Sequence, residues 1–356
     1  MSGMLPRLAC AAAVAAQAVL VPVPAAAAPD PQRSVAQLLT DLQRLYRQTE
    51  QATETYDATT EQLQRQRAEV ARLDGELTRA RLALDGSRSD AGRLARQQYQ
   101  NSGGLGPYVR VLLAPDPQHA LDEGHVIAEL AREHARTVAR LTATERRRDV
   151  LARAARKALD TQQTLAGRQR GQRDDVRARL SDVERLLAGL TPEQLAAVAR
   201  LEQQGVEQAQ RKLVTAGALP ADRPASPAGD RAVDYALDQL GKPYRWGAQG
   251  PDAYDCSGLT SQAWTHAGTP LPRTSQEQWD RLPKVPLDRL RPGDLVVYFP
   301  EATHVAMYVG DGKVVQAPRP GAKVEVSPIA GHPILGAVRP DPDARLQGLR
   351  RAVRPR

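Results

Sequence analysis

Two side chains in this sequence are best suited to covalent chemistry: Cys256, within "PDAYDCSGLTSQAW", and His304, which opens "HVAMYVGDGKVVQAP". The only other cysteine is Cys10. A lone thiol in an oxidising compartment bridges to another molecule, reacts as a nucleophile, or lies buried and inert. "DCSGLTSQAWTHAG" reads as a helix ending at Gly268, with Cys256 in its first turn. Unpaired backbone N–H groups and the helix dipole favour negative charge there. That setting favours the thiolate, the nucleophilic form, and such a nucleophile needs a base, most often histidine.

The other histidines are poorly placed to serve. His119, His125 and His134 fall in helical sequence, and His332 precedes Pro333 in a loop. His266 follows Cys256 on its own helix by about three turns. His304 opens a strand, where a fixed scaffold can aim it. A catalytic imidazole also needs an orienting group, and Gln316 lies on the next strand, past "GDG". A two-residue Asp311–Gly312 turn would put His304 and Gln316 on opposite faces. A three-residue Gly310–Asp311–Gly312 loop with a bulge pairs Val309 with Lys313. It sets Gln316 opposite Ala306, on the face of His304. The second register is expected, with Gln316 accepting the Nδ1 proton and Nε2 left for the thiol. A solvated strand residue is the plain alternative for Gln316.

The elements that must position these residues follow from local pattern. "DLVVYF", "HVAMYV", "KVVQAP", "KVEVSP" and "ILGAVR" read as strands, preceded by helical stretches near 231–240, 256–267 and 274–282. Residues 231–340 are therefore expected as a compact α+β domain. Ahead of it, apolar or small residues step by four and three from Leu38 through Leu42, Leu45, Tyr56, Leu63 and Leu73 to Leu84. That is a heptad seam, with arginine, glutamine and glutamate on the outer faces. The glycines of "NSGGLGP", 101–107, break it. A second helical region follows over about 122–190, and Thr191–Pro192 start another helix. The expectation is a coiled-coil hairpin over 33–213, interrupted near 101–120, with pairing in trans as the alternative. A proline- and alanine-rich linker at 214–230 and a basic tail at 341–356 complete the organisation.

Residues 1–27 read as an export signal: Arg7, the apolar "LACAAAVAAQAVLV", then small residues with cleavage before Ala28. Cleavage removes Cys10. The net charge of +8 suits anionic cell-wall polymers or membrane surfaces, and export sets nucleic acid aside as a partner. Paired histidines at metal-ligand spacing and phosphate-binding loops are absent from the sequence, so no metal or cofactor is expected.

"ALDQLGKPYRWGAQGPDAYDCSGLTSQAW", "LPRTSQEQW", "LRPGDLVVYF" and "HVAMYVGDGKVVQAP" resemble, in order, the blocks of the NlpC/P60 family of cell-wall cysteine peptidases. The resemblance covers about 231–340. It implies a papain-like α+β fold and a secreted, cell-wall-associated enzyme. It further implies hydrolysis of the bond between D-glutamate and the diamino acid of peptidoglycan stem peptides, through an acyl-thioester. It places the nucleophile at Cys256, the base at His304 and the third group at Gln316, with Tyr244, Asp255 and Ser257 contacting substrate. Packing is the alternative role for Tyr244, and helix capping for Asp255. Ala248 and Ala306 depart from the family pattern, where glycine is usual.

The N-terminal part resembles the coiled-coil regions ahead of such domains in secreted actinobacterial and streptococcal hydrolases. That implies localisation or restraint of the peptidase, with a membrane or division-machinery protein as partner. Restraint carries a definite expectation, that an N-terminal element covers Cys256. Two other functions fit the sequence: a coiled-coil scaffold or regulator with a weak or inactive domain, and an amidase or acyltransferase using the same dyad.

Overall fold

The computed structural model describes residues 34–101, 107–219 and 223–342. The expected export signal, residues 102–106 of the glycine break and all but the first two residues of the basic tail lie outside them. No helix among the described residues is long and apolar enough to cross a membrane.

Helix α1 (Val35–Asn101) and helix α3 (Pro117–Ala188) are joined through the short α2 (Pro107–Leu112). They run antiparallel. Gln98 meets His134, Arg88 meets Glu145, Gln66 donates to the Ala158 carbonyl and Gln169 donates to Thr60, so one number falls as the other rises. Leu63, Leu73, Leu77, Ala80 and Leu84 are buried along the seam, as the heptad pattern predicts, and Ala158, Val176 and Val183 are buried on α3. At the base, Leu38, Leu42 and Tyr46 pack with Val183 and with Val198 of helix α4 (Pro192–Thr215). Thr191 and Gln194 cap α4 reciprocally, and Pro192 sits where its missing N–H costs nothing.

Helix α5 (Pro227–Leu237) begins within the stretch read as linker, because Ser226 caps it at the Gly229 N–H and Pro227 supplies its first turn. Helices α6 (Cys256–His266) and α7 (Ser275–Arg281) follow. The strands are β1 (Lys284–Val285), β2 (Leu295–Tyr298), β3 (His304–Gly310), β4 (Lys313–Gln316), β5 (Glu325–Pro328) and β6 (Ile334–Val338). They form one antiparallel sheet in the order β1-β6-β2-β3-β4-β5. Strand alternation splits the core. Leu295, Val297, Met307 and Val315 face α6 through Leu259 and Trp264, whereas Val296, Tyr298, Ala306 and Val314 face the other way, toward Leu213 at the end of α4 and Leu219 just beyond it.

The β3–β4 connection corrects the expected three-residue loop. Asp311 and Gly312 both have positive φ and form a two-residue turn, pairing Gly310 with Lys313. That turn matches sheet twist better than the longer loop. The extra residue is absorbed at Val309 instead, in a bulge between Tyr308 and Gly310, after which Tyr308 pairs with Val314 and Met307 with Val315. Gln316 therefore still reaches the face of His304.

The anchor of α6 is Trp264, fully buried, whose indole N–H donates to the Gly293 carbonyl at 3.0 Å. Gly293 has φ of 98°, and a Cβ there would lie 2.8 Å from the Gly229 Cα. Trp264→Ala should therefore lower the stability of the C-terminal domain by about 3–5 kcal/mol. Urea unfolding followed by the remaining tryptophans checks it, and a loss below about 1 kcal/mol would show that α6 is held otherwise.

Candidate active site

Cys256 is the first residue of α6. The N-cap, Asp255, accepts the Gly258 N–H at 2.6 Å. Its carboxylate is also gripped by Arg273, with Nη2 to Oδ2 at 2.6 Å and Nη1 to Oδ1 at 3.2 Å. Arg273 Nη1 donates further to Ser257 Oγ at 2.8 Å. Capping and an ion pair thus engage Asp255, which is fully buried. The loop ahead lies tight on the helix start, since a Cβ on Gly258 would come within 2.2 Å of the Ala248 carbonyl oxygen. Ser275, which opens α7, donates its hydroxyl to the Ala302 carbonyl at 2.7 Å. That ties α7 to the β2–β3 turn, where Phe299 and Ala302 adopt positive φ just before His304.

His304 and Gln316 meet, but through the nitrogen opposite to the one expected. Nε2 lies 2.7 Å from Gln316 Oε1, and Gln316 Nε2 donates to Ser327 Oγ at 2.7 Å. The imidazole reaches along the strand pair, so its distal nitrogen meets the neighbouring strand and Nδ1 is left facing the site. The Val305 backbone N–H points at the Cys256 thiol, placing the sulfur beside the residue that follows His304. Tyr244 is buried in the same core cluster as Cys256.

Sequence reasoning set His332 aside as a loop residue. Its ring centroid lies 5.2 Å from that of His304, edge-on, and it also contacts Tyr298 and Phe299. Nothing local signals this, because the contact depends on how the β5–β6 connection folds back.

Helix α1 lies across the site. Glu54 Oε1 accepts from Ser257 Oγ at 2.9 Å and faces the Cys256 thiol at 3.5 Å, and Oε2 accepts the Ser275 backbone N–H at 2.8 Å. Asp57 Oδ2 lies 3.1 Å from Arg273 Nη2, and Glu50 Oε1 lies 3.5 Å from His304 Nδ1. The spacing 50, 54, 57 puts these carboxyl groups on one helix face. Tyr56 packs edge-on against Trp246 at 5.0 Å. The glutamates of α1 were read as outer face of the coil; the structure buries Glu50 and Glu54, with Asp57, because α1 serves α3 with one face and the site with another. Cys256 is 2% exposed and His304 0%. Helix α4 holds the same domain elsewhere: Gln210 bonds to the Gly312 carbonyl and the Ala330 N–H, and Glu202 pairs with Arg319 at 2.7 Å.

Burial raises the Cys256 thiol well above its ordinary range, and the charges of Glu54, Asp255 and Glu50 add to it, against the Val305 N–H. The bias of the helix N-terminus is outweighed. Burial lowers His304 to about 4, opposed by its bond to Gln316. Thiol and imidazole are both neutral in this arrangement. Burial and the neighbouring Asp255 raise Glu54 to about 7 and Asp57 to about 9, against the pull of Arg273. Chemically, the site is a thiol and an oriented imidazole suited to acyl transfer, with a carboxylate seated among its hydrogen-bond donors.

Residues 241–336 match the NlpC/P60 family. A probable endopeptidase of Corynebacterium glutamicum is 47% identical over 94 residues, which make up 26% of this chain and 45% of that protein. Peptidoglycan endopeptidase RipA of Mycolicibacterium smegmatis is 37% identical over 119 residues, 28% of this chain and 24% of that protein. The chain spans less than half the length of these curated relatives. Among solved structures, the P60 domain of a Mycobacterium avium subspecies paratuberculosis antigen is 31% identical. The match covers 31% of this chain and 92% of that one, with a TM-score of 0.30.

A histidine lowered to about 4 binds fewer protons with α1 seated than a free one does, so its burial destabilises the seated arrangement as pH falls from 6.5 through about 4. His304 followed by imidazole carbon NMR should stay neutral at pH 5.5 and titrate near the lower value. Gln316→Leu should lower the midpoint further, since the bond to Gln316 opposes the shift. A midpoint near 6.5 would contradict the burial seen here.

Proposed function

Residues 241–336 are an NlpC/P60 domain behind a long helical hairpin, and on that premise we propose that the protein is a secreted peptidoglycan endopeptidase of the cysteine type. It cleaves stem peptides at the D-glutamyl–diamino acid bond. The observation that carries this reading is the grouping of Cys256 at the head of α6 with the His304–Gln316 pair at the head of β3. The relatives' names, probable endopeptidase and peptidoglycan endopeptidase, support it.

In the reaction the Cys256 thiol gives its proton to His304 Nδ1, and the thiolate attacks the peptide carbonyl. The C–N bond then breaks, the departing amine takes the proton from the imidazolium, and an acyl-thioester remains. Water attacks that ester with His304 as base, releasing the acid and restoring the thiol. Gln316 accepts the Nε2 proton throughout and keeps Nδ1 aimed inward. Tyr244 and Ser257 contact the peptide, and Asp255 holds Arg273 and the helix start.

The seated α1 favours an enzyme held in a restrained state. A peptide cannot reach a thiol that is 2% exposed beneath Glu54. Restraint also acts on the chemistry, because the thiolate–imidazolium pair cannot form while both groups are held neutral.

Cys256→Ala should abolish cleavage of a soluble muropeptide, with fragments weighed by mass spectrometry and folding intact by circular dichroism. Full residual hydrolysis would end the enzyme reading. Glu54→Lys removes the bonds to Ser257 and Ser275 and sets a cation beside Arg273. The initial rate should rise roughly tenfold or more, as expected for losing two buried hydrogen bonds that hold α1 in place. An unchanged rate would leave localisation as the role of the coil.

A further inference from the structure

The acidic face of α1 poses an electrostatic problem that restraint alone does not explain. Glu50, Glu54 and Asp57 are all buried, and they enter a site that already contains the buried Asp255. Among the described residues the cation buried in the site is Arg273, and Asp255 takes two of its N–H groups. Asp57 Oδ2 approaches the same guanidinium nitrogen at 3.1 Å but has no hydrogen-bond partner of its own, and the neighbouring Asp255 adds to the burial that raises it. Glu50 Oε2 and His304 Nδ1 each lack a hydrogen-bond partner. The flanking cations Arg47, over the Phe299 ring, and Arg319, paired with Glu202, pull on Glu50 but are outweighed by burial and by Glu54. Several buried like charges around one guanidinium are strongly unfavourable unless some are neutralised.

We propose that α1 is a proton-operated latch: its turn of Glu50, Glu54 and Asp57 seats in the active site carrying protons and is released when those carboxyl groups ionise, so that Cys256 is uncovered as pH rises. The proposal rests on the restrained state described above and names what governs it.

The groups facing this turn come from every packed element. They are Asp255, Cys256 and Ser257 at the head of α6, Arg273 and Ser275 at α7, His304 on β3 with His332 behind it, Tyr244, and Arg319 with Glu202 of α4. Glu54 and Asp57 are raised to about 7 and about 9, and Glu50 is raised mainly by burial and then by Glu54. A carboxyl group raised by docking binds its proton in the seated state, so its contribution to docking is present at low pH and is lost as pH rises through the seated value. The histidines work in the opposite sense, because His304 and His332 are lowered to about 4 and about 3. An ordinary imidazole is half charged at pH 6.5 and largely neutral about one unit higher, so their opposition fades between those values. The thiol, raised in the seated state, adds to the carboxyl effect. Above about pH 7.5 the carboxyl groups and the thiol therefore govern the balance and favour release, and the rise that frees the thiol also ionises it.

The test is alkylation of Cys256 by iodoacetamide in the full chain, read as the mass of the Cys256 peptide at pH 6.5, 7.5 and 8.5. Dividing each rate by that of Glu54→Lys, the unlatched reference, cancels the ionisation of the free thiol and leaves the open fraction. That fraction should rise by about tenfold for each pH unit over which one proton is released. The double variant E50Q/D57N, neutral at two positions with shape retained, should stay less reactive than the parent and show a much smaller rise. A flat or falling ratio in the parent overturns the proposal. So does a double variant with the parent's slope, or one as reactive as Glu54→Lys throughout, which would mean that ionised carboxylates hold α1. Alkylation needs no substrate, so a failed hydrolysis test would refute the peptidase reading without touching this one.

Discussion

The interaction on which most of this architecture depends is the buried guanidinium of Arg273. It holds the carboxylate that caps α6, donates to Ser257 beside the thiol, and stands 3.1 Å from Asp57 of α1. One planar cation with several fixed donors can serve three chain segments at once, where a lysine point charge could not. Because Asp255 both caps the helix and binds Arg273, the position of the nucleophile and the position of the loop before α7 are a single problem with a single solution. Removing either partner would leave an uncompensated buried charge.

Around that hub the local field opposes what a helix N-terminus would do by itself. Exposed backbone N–H groups favour a thiolate, yet the seated carboxyl groups and the loss of water push the thiol the other way. The imidazole is pushed down for the same reason, loss of water. Occlusion and electrostatics therefore act together. Carboxyl groups on one face of α1 exclude substrate by volume and discourage charge separation by their position.

Much of this was legible in the sequence because it is local. The strands, the helix that starts at Cys256 and the heptad seam from Leu63 to Leu84 follow from periodicity and from capping residues. The partnership of His304 with Gln316 was legible from strand order, although the bulge at Val309 and the choice of ring nitrogen were not. Bulge placement depends on neighbouring strands, and the choice of ring nitrogen depends on where the bulge sets Gln316 relative to the imidazole. His332 was missed because its proximity arises from a loop returning across the sheet. The acidic face of α1 left a weak trace. From Gln48 to Gln64 there is no lysine or arginine, in a chain with 49 such residues, and threonines crowd the same stretch. A heptad template assigns such positions to solvent, and only tertiary packing reveals that the helix has two buried faces.

The continuity of α1 from Val35 to Asn101 has a mechanical consequence. Glu50, Glu54 and Asp57 span about 10 Å of one rod, at ~1.5 Å per residue. They are not three independent bolts. The rod has no joint between them, so turning it about its long axis swings all three out of the site together. The far end of the same rod, near Asn101, lies roughly 65–70 Å from Glu54 on that rise. Torque applied there would be delivered at the thiol with little loss, provided the hairpin stays wound.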